Sequence, residues 1–238
     1  NTDGNKKMPE NPDIQIKNLD FKYKGEKENI LENININIPY GSFIGILGKT
    51  GSGKTTLANI LAKFNAIPNE KIFFNNIDIN DIERKSFYKN FAYVMQDDYI
   101  YDNTIKHNIE LYKTYSENEI NEATEKAELF ETIEKLDKKY NTLIGDNGVK
   151  LSGGQKQRLI LSRNLVTNPE IIIIDNGFTG LDIETRKRVV ENLNNRNNKT
   201  TLVIITSMIE DIKNADKIYK LEDKALVEMK EREDPYNA

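Results

Sequence analysis

Ile14, Ile16, Leu19, Phe21 and Tyr23 recur at close to every second position, and Ile34, Ile36 and Ile38 alternate strictly with asparagine. A period of two marks half-buried strands, and Gly25 between the runs predicts a hairpin-like pair. Ser42 to Leu47 reads as a further strand that enters the glycine-rich stretch Gly48 to Thr55. Beyond it Leu57, Ile60, Leu61 and Phe64 follow the i, i+3, i+4, i+7 spacing of one helix face. From Ser116 to Lys139 the pattern predicts one helix, opened by a capping box of Ser116 and Glu119, with Ile120, Ala123, Ala127, Phe130 and Ile133 on its apolar face. A second capping box, Ser152 with Gln155, opens a helix that stops before Asn168-Pro169. Ile171 to Ile174 is wholly apolar and β-branched, as a strand buried on both faces of a parallel sheet requires. The helix Ile183 to Leu193 and the strand Thr201 to Thr206 follow. Strands alternating with helices predict an α/β fold with a mainly parallel sheet and an antiparallel edge from the first strands.

Composition narrows the class of function. With 238 residues, 37% hydrophobic and 30% charged, the chain can bury a sizeable core. A net charge of -4 argues against nucleic acid as the main partner. The absence of cysteine and the single histidine exclude disulfides, cysteine-held zinc and a histidine metal cluster; His107 reads as a surface residue. No apolar run approaches the roughly eighteen residues of a membrane helix, so no insertion of this segment into a bilayer is expected. The chain opens on Asn1 without a signal-like stretch, which reads as a piece of a longer protein with an N-terminal neighbour. Residues 1–12 read as linker and 229–238 as a polar tail.

Gly48-Lys49-Thr50-Gly51-Ser52-Gly53-Lys54-Thr55 satisfies every fixed position of the phosphate-binding loop G-x-x-x-x-G-K-[ST], and Thr56 continues it into the helix. Glycines let the backbone turn its N–H groups onto a phosphate at the positive end of the helix. Lys54 supplies a point charge to β and γ phosphates, and Thr55 a hydroxyl to Mg²⁺. Such a loop needs an acidic metal partner at the end of a neighbouring buried strand, and Asp175 closes Ile171-Ile172-Ile173-Ile174.

Together with Leu151-Ser152-Gly153-Gly154-Gln155, these motifs make residues 14 to 228 resemble the nucleotide-binding domain of an ATP-binding cassette (ABC) transporter. The resemblance implies a phosphate-loop α/β core at 13–96 and 166–228 and a helical lobe at 97–165. It also implies that two such domains sandwich ATP, with Ser152 and Gly154 of one closing over the γ phosphate held by the other. Tyr23 matches the aromatic residue that stacks on adenine. Gln96, in Tyr93-Val94-Met95-Gln96-Asp97, matches the glutamine that touches Mg²⁺ and couples to the membrane domain, and Asp182 matches the interface aspartate. Gly145-Asp146-Asn147-Gly148 resembles the exporter-type loop that contacts a transmembrane domain, which implies a domain on the cytoplasmic face of a membrane in an exporter whose membrane helices precede it in the same chain. The metal ligands implied are Thr55, Gln96 and Asp175.

The chain departs from the family where water is activated. Asn176 stands where the family carries glutamate, and a neutral amide cannot accept the proton of the attacking water. Ser207 replaces the histidine that contacts the γ phosphate, and Gly177-Phe178-Thr179-Gly180 differs from the usual A-T-S-A. The expectation is the degenerate half of a heterodimeric exporter, impaired as an ATPase at its own site. The alternative is a non-hydrolytic ATP-binding module acting as a homodimer.

Overall fold

The computed structural model describes residues 3–95, 98–146, 148–194 and 200–230. Its elements in chain order are β1 (Ile14–Phe21), β2 (Leu31–Ile38), β3 (Phe43–Leu47), α1 (Lys54–Leu61), β4 (Ile72–Phe74), β5 (Ile77–Asp78), α2 (Arg84–Asn90) and β6 (Phe91–Val94), then α3 (Ile105–Glu110), α4 (Glu117–Lys126), α5 (Phe130–Glu134), α6 (Gly153–Leu165), β7 (Ile171–Asp175), α7 (Ile183–Leu193), β8 (Thr201–Thr206), β9 (Lys217–Glu222) and β10 (Ala225–Glu228).

The chain divides into two compact units. The first, residues 1–93, 170–175 and 196–238, holds both sheets. One has the order β2-β1-β4-β5 and is antiparallel. The other has the order β10-β9-β3-β8-β7-β6, with β9, β3, β8 and β7 running parallel and β10 antiparallel to β9. The parallel strands β3, β7 and β8 are buried at every residue, which is why their sequences read as continuous apolar runs. β1 and β2 pair Ile14 with Ile38 and Ile16 with Ile36, so their period-two isoleucines share the buried face. Asn18 and Asn33 sit at the register shifts with φ of 43° and 49°, a left-handed conformation that asparagine tolerates better than other side chains. The core joins these isoleucines to Leu57, Ile60 and Leu61 of α1, to Phe74 and Phe87, and to Ile171, Ile173, Val203 and Ile205.

Residues 3–8, read from sequence as linker, are bonded along 81–86. Lys6 bridges Ile82, the Lys6 carbonyl accepts from Glu83 N at 2.8 Å, and Met8 is buried.

The second unit comprises residues 94–169 and 176–195. It therefore takes in α7, which the sequence grouped with the 166–228 segment. Within it α6 packs against α3 and α4, and α4 against α5 and α7. The single helix expected from Ser116 to Lys139 is broken. The Ser116–Glu119 capping box is present, but α4 ends at Lys126. Glu128 then takes φ 58° and Leu129 N donates to Thr124 O at 2.8 Å. This six-to-one turn normally uses glycine at the left-handed position. Lys63, with φ 59°, ends α1 in the same way, with Phe64 N donating to Asn59 O at 2.8 Å. Phe64 thus lies past the helix it was expected to extend and is 54% exposed. Among the described residues no helix is long and apolar enough to cross a membrane.

Candidate functional site

In the first unit, β3 delivers the chain into the glycine-rich loop and α1 carries it away. A Cβ on Gly48 would lie 2.6 Å from Ser52 Oγ and 3.1 Å from the Leu221 carbonyl, so only glycine fits. Gly53, the residue before α1, has φ 100° and offers no side-chain cap. By contrast α4, α6 and α7 are each capped by a side-chain oxygen, from Ser116, Ser152 and Asp182. α1, like α2 and α5, opens without a side-chain cap, and its first amides, which follow the glycine-rich loop, lie at the positive end of the helix dipole, where an anion is favoured.

Lys54 is 6% exposed, and its Nζ donates to the carbonyls of Gly48 at 2.7 Å and Lys49 at 2.8 Å. Burial lowers its pKa, and the nearby Asp175 carboxylate opposes that shift. Asp175 ends β7 and is 4% exposed, with its pKa raised by burial. Hydrogen bonds from Thr55 and Tyr93 and the charge of Lys54 pull the other way. Ser52 Oγ is buried without a hydrogen-bond partner among the described residues. Uncapped amides, a lysine, an unsatisfied hydroxyl and a Thr55–Asp175 pair of hard oxygens form a donor set that fits a phosphate chain with a divalent cation. Tyr23 is 38% exposed, packs edge-on against Phe21 and lies within hydrogen-bond distance of Thr56, Oη to Oγ1 3.2 Å. Its exposed ring is available for stacking.

Ser207 follows β8 and is exposed. Its turn is fixed from both sides. Gly48 N donates to Thr206 O at 3.1 Å, Thr206 Oγ1 donates to the buried Asp211 at 2.7 Å, and Met208 N donates to Thr206 Oγ1 at 3.1 Å. The structure thus brings Tyr23, residues 48–56, Asp175 and the Ser207 turn into one unit.

In the second unit, Ser152 Oγ accepts from Gln155 N at 3.2 Å, and Gln155 Oε1 accepts from Ser152 N at 2.9 Å. The expected capping box is therefore formed. A Cβ on Gly154 would come within 2.8 Å of the Gly180 carbonyl, whereas one on Gly153 would meet nothing within 4 Å. Arg158 donates to the carbonyls of Gly154 and Glu128. Asp182 caps α7 by accepting from Thr185 N at 2.9 Å, which holds its carboxyl below the usual range. Asn176 has φ 48°, and its carbonyl accepts from the Thr179 hydroxyl at 2.8 Å. Gln96 and Asn147 lie outside the described residues. His107 is half-buried, its ring edge-on to Tyr101.

The sequence did not reveal Tyr93 against Asp175 or Arg158 against Gly154. The one available signal for Tyr93 is a phenol in the otherwise apolar strand Phe91-Ala92-Tyr93-Val94.

Residues 31–179 match the model of the ABC transporter family. A multidrug resistance-like ATP-binding protein, MdlB, of Buchnera aphidicola is 40% identical over 216 residues, 91% of this chain and 37% of that protein. The ATP-dependent lipid A-core flippase of Haemophilus influenzae is 35% identical over 215 residues, 90% of this chain and 37% of its own length. The chain therefore spans little more than a third of these relatives. Among solved structures, a bacterial Atm1-family ABC exporter with ATP bound superposes with a TM-score of 0.85 at 28% identity, covering 95% of this chain and 40% of that one. The phosphate loop, the signature helix α6, which Leu151-Ser152-Gly153-Gly154-Gln155 opens, and these matches lead to one assignment: the chain belongs to the ABC transporter family, as an exporter-type nucleotide-binding domain.

Proposed function

We propose that this domain binds Mg-ATP, closes around it with a second nucleotide-binding domain, and supplies its signature helix to that partner's hydrolytic site while its own site hydrolyses poorly. The observation that carries this reading is the contrast between the phosphate loop and the residues at two positions of the sequence. The phosphate cradle of Lys54, Ser52 and the α1 amides is complete, whereas an amide and a hydroxyl stand at Asn176 and Ser207, where the reaction needs a proton acceptor and an imidazole. Thr55, Asp175 and Gln96 would hold Mg²⁺, which when bound screens phosphate charge. Lys54 would orient the β and γ phosphates, Tyr23 would stack on adenine, and Asp182 would meet the partner across the interface. A partner of a different sequence, carrying Glu and His at the positions of Asn176 and Ser207, makes the assembly heterodimeric. By analogy with the exporters to which the chain is similar, a transmembrane domain of the same transporter places it on the cytoplasmic face of a membrane.

Thermal unfolding with and without Mg-ATP, followed by steady-state turnover, tests this reading. Mg-ATP should raise the melting temperature, Lys54→Ala should abolish the rise, and turnover of the chain alone should stay near background, since loss of a general base typically costs about 10²- to 10⁴-fold. Robust hydrolysis by the unmodified chain overturns the impaired-site reading, and no thermal shift overturns the nucleotide site.

A further inference from the structure

Glu128 closes the turn after α4 with φ 58°, a left-handed position that glycine enters freely and glutamate does not. Every acceptor the residue owns is engaged. Its carbonyl accepts from Arg158 Nη1 on α6. Its Oε2 accepts from Arg188 Nε at 2.8 Å and its Oε1 from Asn192 Nδ2 at 2.9 Å, both donors on α7. Arg158 turns its Nε back onto the Gly154 carbonyl at 3.3 Å, in the first turn of α6. Arg188 turns Nη2 onto Thr185 Oγ1 at 3.2 Å, and the Thr185 amide donates at 2.9 Å to Asp182, the residue that caps α7. One continuous run of hydrogen bonds, from Gly154 through Arg158, Glu128, Arg188 and Thr185 to Asp182, thus joins the start of the signature helix to the start of α7. The two starts also lie close together, since a Cβ on Gly154 would come within 2.8 Å of the Gly180 carbonyl. The Arg188 side chain is 51% exposed, and an ion pair so open to water contributes little stability. A left-handed glutamate and a solvated ion pair are weak stabilising devices. What they fix is the placement of two segments relative to one another.

We propose that Glu128 is a positioning residue that holds Ser152 and Gly154 in register with Asp182, the segments this chain presents to a second nucleotide-binding domain across bound ATP. This rests on the reading above, in which the signature helix serves a partner's phosphate. None of these bonds involves Tyr23, residues 48–56 or Asp175, so loss of the Glu128 carboxylate should weaken the pairing of two domains and not the binding of ATP by one.

Calorimetric titration of the full chain with Mg-ATP, at protein concentrations too low for pairing, reads binding by one copy. Sedimentation velocity at rising concentration in saturating Mg-ATP reads the pairing of two. A second copy carries the same phosphate loop and serves as the partner, and because each site hydrolyses poorly the ATP-bound pair should persist. Glu128→Gly suits the left-handed backbone, keeps the carbonyl for Arg158 and removes only the carboxylate. Its melting temperature should be unchanged or raised and its ATP affinity within about twofold of the unsubstituted chain, while it pairs about tenfold more weakly. Glu128→Gln keeps one acceptor oxygen and should recover part of the loss. Arg188→Leu, at an exposed position, should reproduce the loss and add little to it when combined with Glu128→Gly, because both act in one run of bonds; it carries the same test should the glycine variant fold poorly. Undiminished pairing in Glu128→Gly and Arg188→Leu overturns the proposal. So does an equal weakening of ATP binding and pairing, which marks a merely structural role, or the absence of any recovery with Gln, or full additivity of the two substitutions. If the unsubstituted chain binds Mg-ATP but stays a monomer, the reading that its signature helix meets a second domain fails for this pair and takes the proposal with it. Failure to bind ATP at all removes the nucleotide site itself.

Discussion

At Asn176, backbone conformation and chemistry bear on the same position. Its φ of 48° is left-handed, a region that asparagine enters far more readily than a longer carboxylate side chain. Returning the family's residue with Asn176→Glu should therefore destabilise the chain by about 1 kcal/mol, read from urea unfolding, while Asn176→Gly should cost much less. Equal stability of the Glu and Gly variants would show that this conformation does not depend on the residue. The glutamate alone should restore little turnover, because Ser207 still lacks an imidazole and groups that act as a unit are not additive. The phosphate loop, Asp175 and the signature loop were legible because their chemistry fixes residue types at fixed spacings within a short stretch. Tyr93 was not. Its hydroxyl donates to Asn59 on α1, 34 positions earlier, and its strand β6 lies beside β7, and no local pattern encodes contacts between elements so far apart in sequence.

Elements were legible in proportion to how completely burial dictated them. β7, β8 and α7 follow their apolar patterns, whereas β5 and β10 are partly exposed and carry no clear period. The ends of α1 and α4 were hidden because Lys63 and Glu128 occupy left-handed positions that sequence reading reserves for glycine. A second hidden determinant joins α6 to α3. Arg163, with its side chain 8% exposed, donates to the carbonyls of Asn108 and Tyr99 at 2.8 Å each and pairs with Asp98 at 3.4 Å. Asn108 in turn donates to the carbonyls of Tyr101 and Thr104 and accepts from Tyr101 N. The clamp ties residues 98–101 to α3 and α6. Arg163→Leu would strand those carbonyls and should cost about 3 kcal/mol or more in chemical unfolding. Arg163→Lys should recover only part, because an ammonium cannot reproduce the guanidinium fork. Full recovery by lysine would reduce the clamp to a simple point charge.

For the whole molecule, the proposed division of labour turns on whether the signature helix serves another chain's phosphate. Gly154→Asp is a poor probe, since the new side chain would press on the Gly180 carbonyl and disturb the turn before Asp182. Gly153 is better placed. It lies in the first turn of α6, a Cβ there meets nothing, and a carboxylate at a helix N-terminus interacts favourably with the dipole. Gly153→Asp should therefore leave the melting temperature unchanged or raised, and leave this chain's own Mg-ATP shift intact, because it alters none of Tyr23, residues 48–56 or Asp175. In an assembly with a partner that carries the catalytic glutamate, the same carboxylate would face the partner's γ phosphate, a like-charge contact in a water-poor site. Turnover of the pair should fall to near background. Asn176→Ala should leave that turnover largely intact, since its own site contributes little hydrolysis. If Gly153→Asp spared the activity of the pair and Asn176→Ala removed it, this chain's own site would be the working one, and the asparagine would have to be read as part of the catalytic machinery.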